Sequence, residues 1–550
     1  MITLKGTPVC GGIAFGKIYM FSRGSSTVKR SHTNNPDKEI QRFHDARAAA
    51  SEELEALYNK ALNEVGEENA MIFQIHKMML DDLDYSESVE NMISEQKLNC
   101  ETAVAMTSDN FVKMFEAMED SYMRGRSADV KDVSERLLRI LSGEDTLSLI
   151  EPVIIAADDL APSETVQLDK SKILAFATSG GSTNSHTSIL ARMMNIPAMI
   201  GVSELMNDEY GNQWAILDGF NGNIYINPDE ATVKKMHEAL ERENHRRELL
   251  NKLRGKESIT KDGIKIELCA NIGNVLDAGI ALSNDAEGIG LFRSEFLYLE
   301  SSAYPTEDVQ FGAYKDVLSK MINKRVVIRT LDIGADKSVD YFNMPKEENP
   351  ALGVRAIRIC LNREDIFKTQ LRALYRASVF GQLAIMFPMI TSEWEIKEVF
   401  RIVDEVKNEL DSEGIAYSKN VELGCMIETP AAAIISDILA QYLDFFSIGT
   451  NDLTQYTLAA DRQNPDIGKF CDPHHIAILR LIRMVCDNAH KNGLWVGICG
   501  ELGADITLTE TFLALGIDEL SVIPSAILPL RQRVTEINVL EVKEKILDNI

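Results

Sequence analysis

Two patterns of hydrophobic spacing alternate along the chain. Residues 1–25 carry short apolar stretches broken by glycine, GTPVCGGIAFGKIYMF, which predicts short strands with glycine turns. From Asp37 to about Ser142 the spacing becomes helical. No proline falls between Pro36 and Pro152, glycine is rare, and charge is dense. EIQRFHDARAAASEELEALYNKALNEV and ENAMIFQIHKMMLDDL read as amphipathic helices, with two or three more behind them. The span therefore predicts a helical bundle inserted into a strand-rich domain. Strands resume at PVIIAADDL and continue to NIYINP. Asn227, Pro228 and Glu230 then supply an N-cap, an N1 proline and a capping-box partner. They open a long charged helix, DEATVKKMHEALERENHRRELLNKLRGK, with few large apolar residues. It reads as a connecting helix and marks a domain boundary near residue 258.

Beyond that boundary, short apolar runs alternate with helical stretches. Eight runs are strand candidates: IKIELCAN, GIGLF, RVVIRT, LAIMFP, ELGCMIE, FFSIG, WVGICG and ELSVI. Eight strand–helix units in residues 259–550 match the size of a (β/α)8 barrel. Chemical residues gather at the C-terminal ends of these runs. Asn271 follows the first and Arg293 the second; Arg329 and Asp332 follow the third. Glu428 ends the fifth, Asn451 and Asp452 follow the sixth, and Cys499 and Glu501 close the seventh. Barrel active sites sit on that face.

A different arrangement surrounds His186 in TSGGSTNSHTSILARMMNIPAMIG, residues 178–201. KILAFAT before it is a buried-strand pattern, and Gly180 and Gly181 break it. Ser182, Thr183, Asn184 and Ser185 are helix-capping types. Ile189, Leu190, Met193 and Met194 repeat at helical spacing until Pro197. His186 thus falls in the first turn of a helix, where free N–H groups and the positive dipole end favour an anion over an imidazolium. A histidine that transiently carries a phosphoryl group suits that place. So does one that caps or packs, and the segment alone does not separate the two.

Composition narrows the classes. Fifty-seven Lys plus Arg against 84 Asp plus Glu leave a net charge of -27, which argues against general nucleic-acid binding. No apolar run reaches membrane-spanning length, and the N-terminus lacks a charged-then-apolar signal pattern. Eight cysteines show no CxxC pair or zinc spacing, which favours reduced thiols in a cytoplasm. Against this acidic background Arg293, Arg329, Arg355 and Arg462 stand out, because guanidinium forks match phosphate and carboxylate oxygens. Surface ion pairing is the alternative for Arg355. Glu428 and Asp452 lie at neighbouring strand ends. They suit Mg2+ as hard oxygen ligands or serve as a general acid/base pair; the nearby arginines favour metal plus phosphate.

These segments resemble Enzyme I of the bacterial sugar phosphotransferase system, the phosphoenolpyruvate–protein phosphotransferases. GIGLFRSEFLYL, IRTLDIGADK, ENPALGVRAIR, FPMI, IETPAAA, FFSIGTNDLTQYTLAADR and GICGEL follow that family's barrel motifs in order. GGSTNSHTSILARMMNIPAMIG is similar to its phosphohistidine segment. It departs from the family's Gly-Gly-Arg-Thr by one extra residue and the loss of the arginine, leaving Ser182, Thr183 and backbone N–H groups for that contact. The resemblance implies an α/β multidomain protein. Residues 1–28 and 145–228 would form the phosphohistidine domain, and 29–144 a carrier-binding helical bundle. Residues 229–258 would be a linker helix, and 259–550 a phosphoenolpyruvate-binding (β/α)8 barrel that dimerises. It makes His186 the nucleophile and Cys499 the proton donor to the enolate. Arg293, Arg329, Arg355, Arg462, Asn451 and Asp452 would bind substrate, with Mg2+ on Glu428 and Asp452. The partner would be the carrier HPr, with pyruvate released. Met78, Met79, Asp81 and Asp82 offer a mixed apolar and acidic docking face, although the methionines equally suit a bundle core. With no sensory domain ahead of residue 1, the sugar branch is favoured over the nitrogen-regulatory one. Pyruvate phosphate dikinases share both motif sets but need an ATP-binding domain. A non-catalytic docking platform is disfavoured by the intact His186, Glu428, Asp452 and Cys499.

Overall fold

The computed structural model describes residues 1–21, 31–64, 67–116, 121–143, 151–158, 160, 172–180, 187–188, 191, 196–275, 277–299, 301, 303–334, 339–342, 344, 346–462 and 464–550. The chain divides into two compact units, Met1–Arg246 and Arg247–Ile550. Among the described residues no helix is long and apolar enough to cross a membrane.

The first unit is built on an eight-stranded sheet: β1 (Ile2–Lys5), β2 (Thr7–Cys10), β3 (Ile13–Phe21), β4 (Val153–Ala157), β5 (Ile173–Thr178), β6 (Ala198–Ile200), β7 (Trp214–Asp218) and β8 (Asn223–Ile226). Their order is β1-β8-β7-β3-β4-β5-β6-β2. Strands β3 to β6 run parallel, as β-crossover connections require, and the flanking pairs are antiparallel. β4 is buried along its whole length, which explains its unbroken apolar run VIIAA. Between β3 and β4 the chain leaves the sheet for α1 (Pro36–Glu64), α2 (Glu67–Leu80), α3 (Leu83–Gln96), α4 (Cys100–Glu116) and α5 (Ser121–Ser142). Phe43, Leu54, Phe73, Val89, Ile93, Val104 and Leu137 form their common core. The inserted bundle follows from the proline-free helical spacing of this stretch.

The helix Glu230–Asn251 starts differently from its expected cap. Asn227 adopts φ 47° and gives its amide to Gln213 Oε1 at 2.7 Å. The cap is Asp229, whose carboxylate accepts from the Thr232 N–H at 2.8 Å. Pro228 therefore precedes the cap: the left-handed turn at Asn227 spends one more residue before the helix can begin. The division between the two units falls inside this helix.

The second unit is a closed parallel barrel of β9 (Glu267–Ile272), β10 (Ile289–Arg293), β11 (Arg325–Arg329), β12 (Gln382–Phe387), β13 (Glu422–Ile427), β14 (Phe445–Ile448), β15 (Trp495–Ile498) and β16 (Glu519–Val522). Each predicted apolar run became one strand. Side chains alternate between two cores, as a period of two demands. Phe292, Ile328, Ile385, Phe387, Cys425 and Phe446 pack outward against the helices. Leu291, Val327, Ala384, Met386, Met426 and Phe445 fill a separate cluster inside the barrel. Arg325 lies towards the N-terminal mouth, ion-paired to Glu267 and, at 2.9 Å, to Glu519, with its guanidinium 3.8 Å from the Trp495 ring centre.

Arg531 is among the largest fully buried side chains. It donates to Ser258 Oγ at 3.0 Å, to the Leu253 carbonyl at 3.2 Å and to the Asp285 carbonyl at 2.8 Å, and it ion-pairs with the Asp285 carboxylate. One side chain thus fastens the segment following the long helix to the barrel. Replacing it removes the ion pair of the half-buried Asp285 carboxylate and leaves two backbone carbonyls without this donor. Arg531→Met should cost about 3–5 kcal/mol of barrel stability. Urea unfolding of the two proteins measures this, and a loss below about 1 kcal/mol would show that the buried guanidinium contributes little.

Candidate active site

The barrel register sets the site. Arg293 at the end of β10 pairs with Arg329 at the end of β11. Ile427, Ile448 and Ile498 are in register across β13, β14 and β15, so Glu428, Gly449 and Cys499 emerge one residue later at a common level. The result is a cavity of about 540 Å³, within the size range of small-molecule sites. Arg293, Arg329, Arg355, Arg462, Glu428, Asn451, Asp452 and Cys499 all line it. The structure thus brings these eight residues to one cavity, while Asn271, also named from the sequence, does not line it.

Within the cavity the arginines fall into two kinds. Arg329 is buried between Glu295, in close contact, and Asp332 at 2.9 Å. Arg355 is buried beside Asp332 at 2.9 Å and Asp452 at 3.5 Å, and it reaches the Tyr456 hydroxyl at 3.2 Å. Burial works against both guanidinium charges. Asp332 together with Glu295 at Arg329, and with Asp452 at Arg355, offsets it, so both stay firmly protonated. Arg293 and Arg462 make no ion pair with a described residue, which leaves their forks free for an anionic ligand. Asp332 was placed on this face from the sequence without a partner, and Glu295 was not named. Their signal was present, since both stand within three residues of a strand-end arginine, but spacing does not reveal which carboxylate an arginine turns to.

Glu428 is fully buried. Its Oε1 accepts from the Met389 N–H at 2.6 Å, while Oε2 has no hydrogen-bond partner among the described residues. Burial, with Asp452 and Asp332 nearby, raises its pKa well above the usual carboxylate range. An orphaned carboxylate oxygen facing a second carboxylate is a fit for a hard cation such as Mg2+. Asn451 instead turns to Glu501, donating to its carboxylate at 3.1 Å and accepting from its backbone N–H at 3.2 Å. Another group with metal-ligand chemistry, Glu267, Cys269 and Glu519, lies towards the opposite mouth, where Arg325 already pairs with both glutamates. Cys499 is buried, with its thiol pushed up to about 11 chiefly by that burial. The thiol therefore holds its proton more firmly than its ordinary value of about 8.5 suggests. The Asn271 amide donates to the Cys499 carbonyl at 3.0 Å and its oxygen accepts from Ser521 at 2.6 Å, fixing the end of β15.

His186, with Ser182 and Thr183, lies outside the described residues. The flanks agree with the strand–glycine–helix reading: β5 ends at Thr178, and Thr187, Ser188 and Ala191 are helical and buried. In the bundle the structure separates the two methionines. Met78 is 73% exposed, whereas Met79 packs on the bundle core. Asp81 and Asp82 are exposed, and Asp82 also caps α3 through the Tyr85 N–H. Leu83, also 73% exposed, extends this apolar patch and was missed because a leucine opening a helix ordinarily reads as core.

Residues 247–539 match the PEP-utilising enzyme, PEP-binding domain family. Residues 5–126 match the PEP-utilising enzyme N-terminal family, and 149–222 the PEP-utilising enzyme mobile domain. Full-length relatives are more specific. The phosphoenolpyruvate-protein phosphotransferase of Bacillus subtilis (strain 168) is 43% identical over 553 residues, covering 100% of this chain and 97% of the relative. Its namesake from Geobacillus stearothermophilus is 44% identical, with 97% of this chain and 93% of the relative covered. That from Staphylococcus aureus (strain MSSA476) is 41% identical, with 98% and 95% covered. The chain belongs to the phosphoenolpyruvate–protein phosphotransferase family and is a phosphotransferase.

The Cys499 assignment carries a chemical signature. Because the thiolate is the species that alkylates, the Cys499 rate should stay low at neutral pH and climb until the pH nears about 11. Cys10 and Cys471, both half-buried, should react before Cys499 at pH 7.5. Peptide mapping after iodoacetamide pulses checks both, and a Cys499 rate that levels off below pH 9 contradicts the buried, protonated thiol.

Proposed function

We propose that the protein transfers the phosphoryl group of phosphoenolpyruvate to its own His186 and then to the histidine of the carrier HPr, releasing pyruvate as the first step of sugar uptake. The observation that carries this is the convergence of two free and two carboxylate-held arginines, Glu428, Asp452 and a protonated Cys499 on one barrel cavity. Residues 259–550 bind substrate in this reading, and 1–28 with 145–228 carry His186. Residues 29–144 dock the carrier through Met78, Asp81, Asp82 and Leu83, with Met79 supporting the patch from within. The linker 229–258, helical over Glu230–Asn251, lets the histidine unit move between donor and acceptor. The enzyme works as a cytoplasmic homodimer.

Each step follows from the residues. Arg293 and Arg462 take the phosphate and carboxylate oxygens, with Arg329 and Arg355 held beneath them. Mg2+ on Glu428 and Asp452, when bound, would offset charge on the transferring group. A neutral His186 nitrogen attacks phosphorus in line; the N–P bond forms as the bond to the enolate oxygen breaks. The enolate takes the Cys499 thiol proton at carbon and leaves as pyruvate, and the thiolate recovers a proton from water.

Incubation with labelled phosphoenolpyruvate and Mg2+, without ATP, should give an acid-labile, base-stable label on the chain. His186→Ala should abolish the label and keep phosphoenolpyruvate binding, because nucleophile and substrate site belong to different units. Stable labelling of that variant would remove His186 from the pathway, and a requirement for ATP would favour a dikinase.

Cys499→Ala should bind substrate nearly normally while pyruvate formation falls roughly a hundred- to ten-thousand-fold, as for a lost general acid. Chirally labelled phosphoenolpyruvate in deuterated water gives the sharper reading. The parent should deliver hydrogen to one face, and the variant should release enolpyruvate that protonates on both. Single-face product from Cys499→Ala would assign the proton to another group.

A further inference from the structure

Behind the cavity, out of reach of any substrate, a polar chain joins two of the loops that carry the arginines. Gln370, on the helix Glu364–Ala377, is completely buried. Its Oε1 accepts from the Leu331 N–H at 2.9 Å. Its Nε2 donates to Ser294 Oγ at 3.0 Å and to the Tyr314 hydroxyl at 3.1 Å. Ser294, equally buried, donates in turn to the Arg329 carbonyl at 2.6 Å. Ser294 lies between Arg293 and Glu295, and Leu331 between Arg329 and Asp332.

The directions of these bonds follow from donor and acceptor inventory. Leu331 N–H can only donate, so it fixes the amide oxygen of Gln370 on that side. The Ser294 proton goes to the Arg329 carbonyl, and the Tyr314 proton goes to Gln310 Oε1 at 3.1 Å. Both hydroxyl oxygens must therefore accept, and only an NH2 group supplies two donors beside one acceptor. Glutamate, methionine and leucine all fail at this place. A packed core would be satisfied by an apolar side chain, so a fully used amide here holds something in place.

We propose that Gln370 and Ser294 are positioning residues for the phosphate-binding arginines. They set the Arg293–Glu295 loop against the Arg329–Asp332 loop so that the guanidinium of Arg293 meets the same ligand as Arg329 and Arg355. The proposal rests on phosphoenolpyruvate being the cavity's ligand. Neither residue touches substrate; they act through Arg293 and Arg329. Phosphate recognition by fixed forks tolerates little displacement, and weakening one hydrogen bond to a charged group costs roughly ten- to a hundredfold in affinity.

The test is a double-mutant cycle in the full chain, in a His186→Ala background that prevents turnover. Phosphoenolpyruvate binding with Mg2+ is measured by calorimetry, below the unfolding temperature of every variant. Ser294→Ala and Gln370→Met should each weaken binding roughly ten- to a hundredfold. The double variant should bind no worse than the weaker-binding single, because one strut is cut in either place. Unchanged affinity alongside a lowered unfolding temperature overturns the proposal and makes the network purely structural. Losses that multiply overturn it as well, since the two residues would then act separately. If Gln370→Met does not fold, Ser294→Ala decides alone, as it removes one hydroxyl. Absence of phosphoenolpyruvate binding in the His186→Ala background itself would count against the substrate reading, not against the strut.

Discussion

Five charges in alternation hold the mouth of the barrel together: Glu295, Arg329, Asp332, Arg355 and Asp452. Removing ions from water costs several kcal/mol each, so none of these could be buried alone. Asp332 is shared by both arginines, which makes it the joint of the ladder. The loops after β10 and β11, the segment carrying Arg355 and the helix carrying Asp452 must all converge for the charges to be satisfied. Site geometry and barrel closure are thereby one requirement. A chain of net charge -27 can thus present cationic forks at one place, because the carboxylates around them are spent on the arginines behind.

The same economy runs through the barrel. Alternate residues on each strand face inward, and their chemistry changes with depth. On β11, Arg325 lies towards one mouth, Val327 sits in the apolar middle and Arg329 reaches the other mouth. An odd-numbered stretch of five residues thus serves two ends and a core. On β15, Trp495 stacks on Phe445 with ring centres 4.4 Å apart, and Cys499 follows at the active end. The strands are short because three inward layers fill the barrel.

Much of this was legible in the residues, and the exceptions have physical reasons. Buried parallel strands leave continuous apolar runs, so all eight barrel strands could be found, and the polar residues after them marked the active face. Pairing was not legible. Arg329 and Arg293 look alike in sequence, yet Arg329 turns to Glu295 of the neighbouring loop as well as to its own Asp332, while Arg293 ion-pairs with no described residue. The start of the long helix shifted because Asn227 took a left-handed conformation, which local composition permits but does not demand. Met78 and Met79 are adjacent and chemically identical, and only the rotation of α2 sends one to solvent and the other to the core. Buried supports such as Gln370 carry no motif, since their meaning lies in what they touch.

The packed interior of the barrel has a further consequence. Between the cluster of Arg325, Glu519 and Trp495 at one mouth and the charged cavity at the other lies a plug of aliphatic, aromatic and thioether side chains. Among the described residues this plug fills the barrel axis, so a ligand reaches the cavity from the C-terminal mouth. In the proposed reaction a spent three-carbon acid must vacate before a fresh donor can enter, so an accumulating product competes directly with its own precursor. Directionality in that scheme comes from how quickly the acceptor is relieved of its load elsewhere, with the barrel as a reversible, single-berth dock.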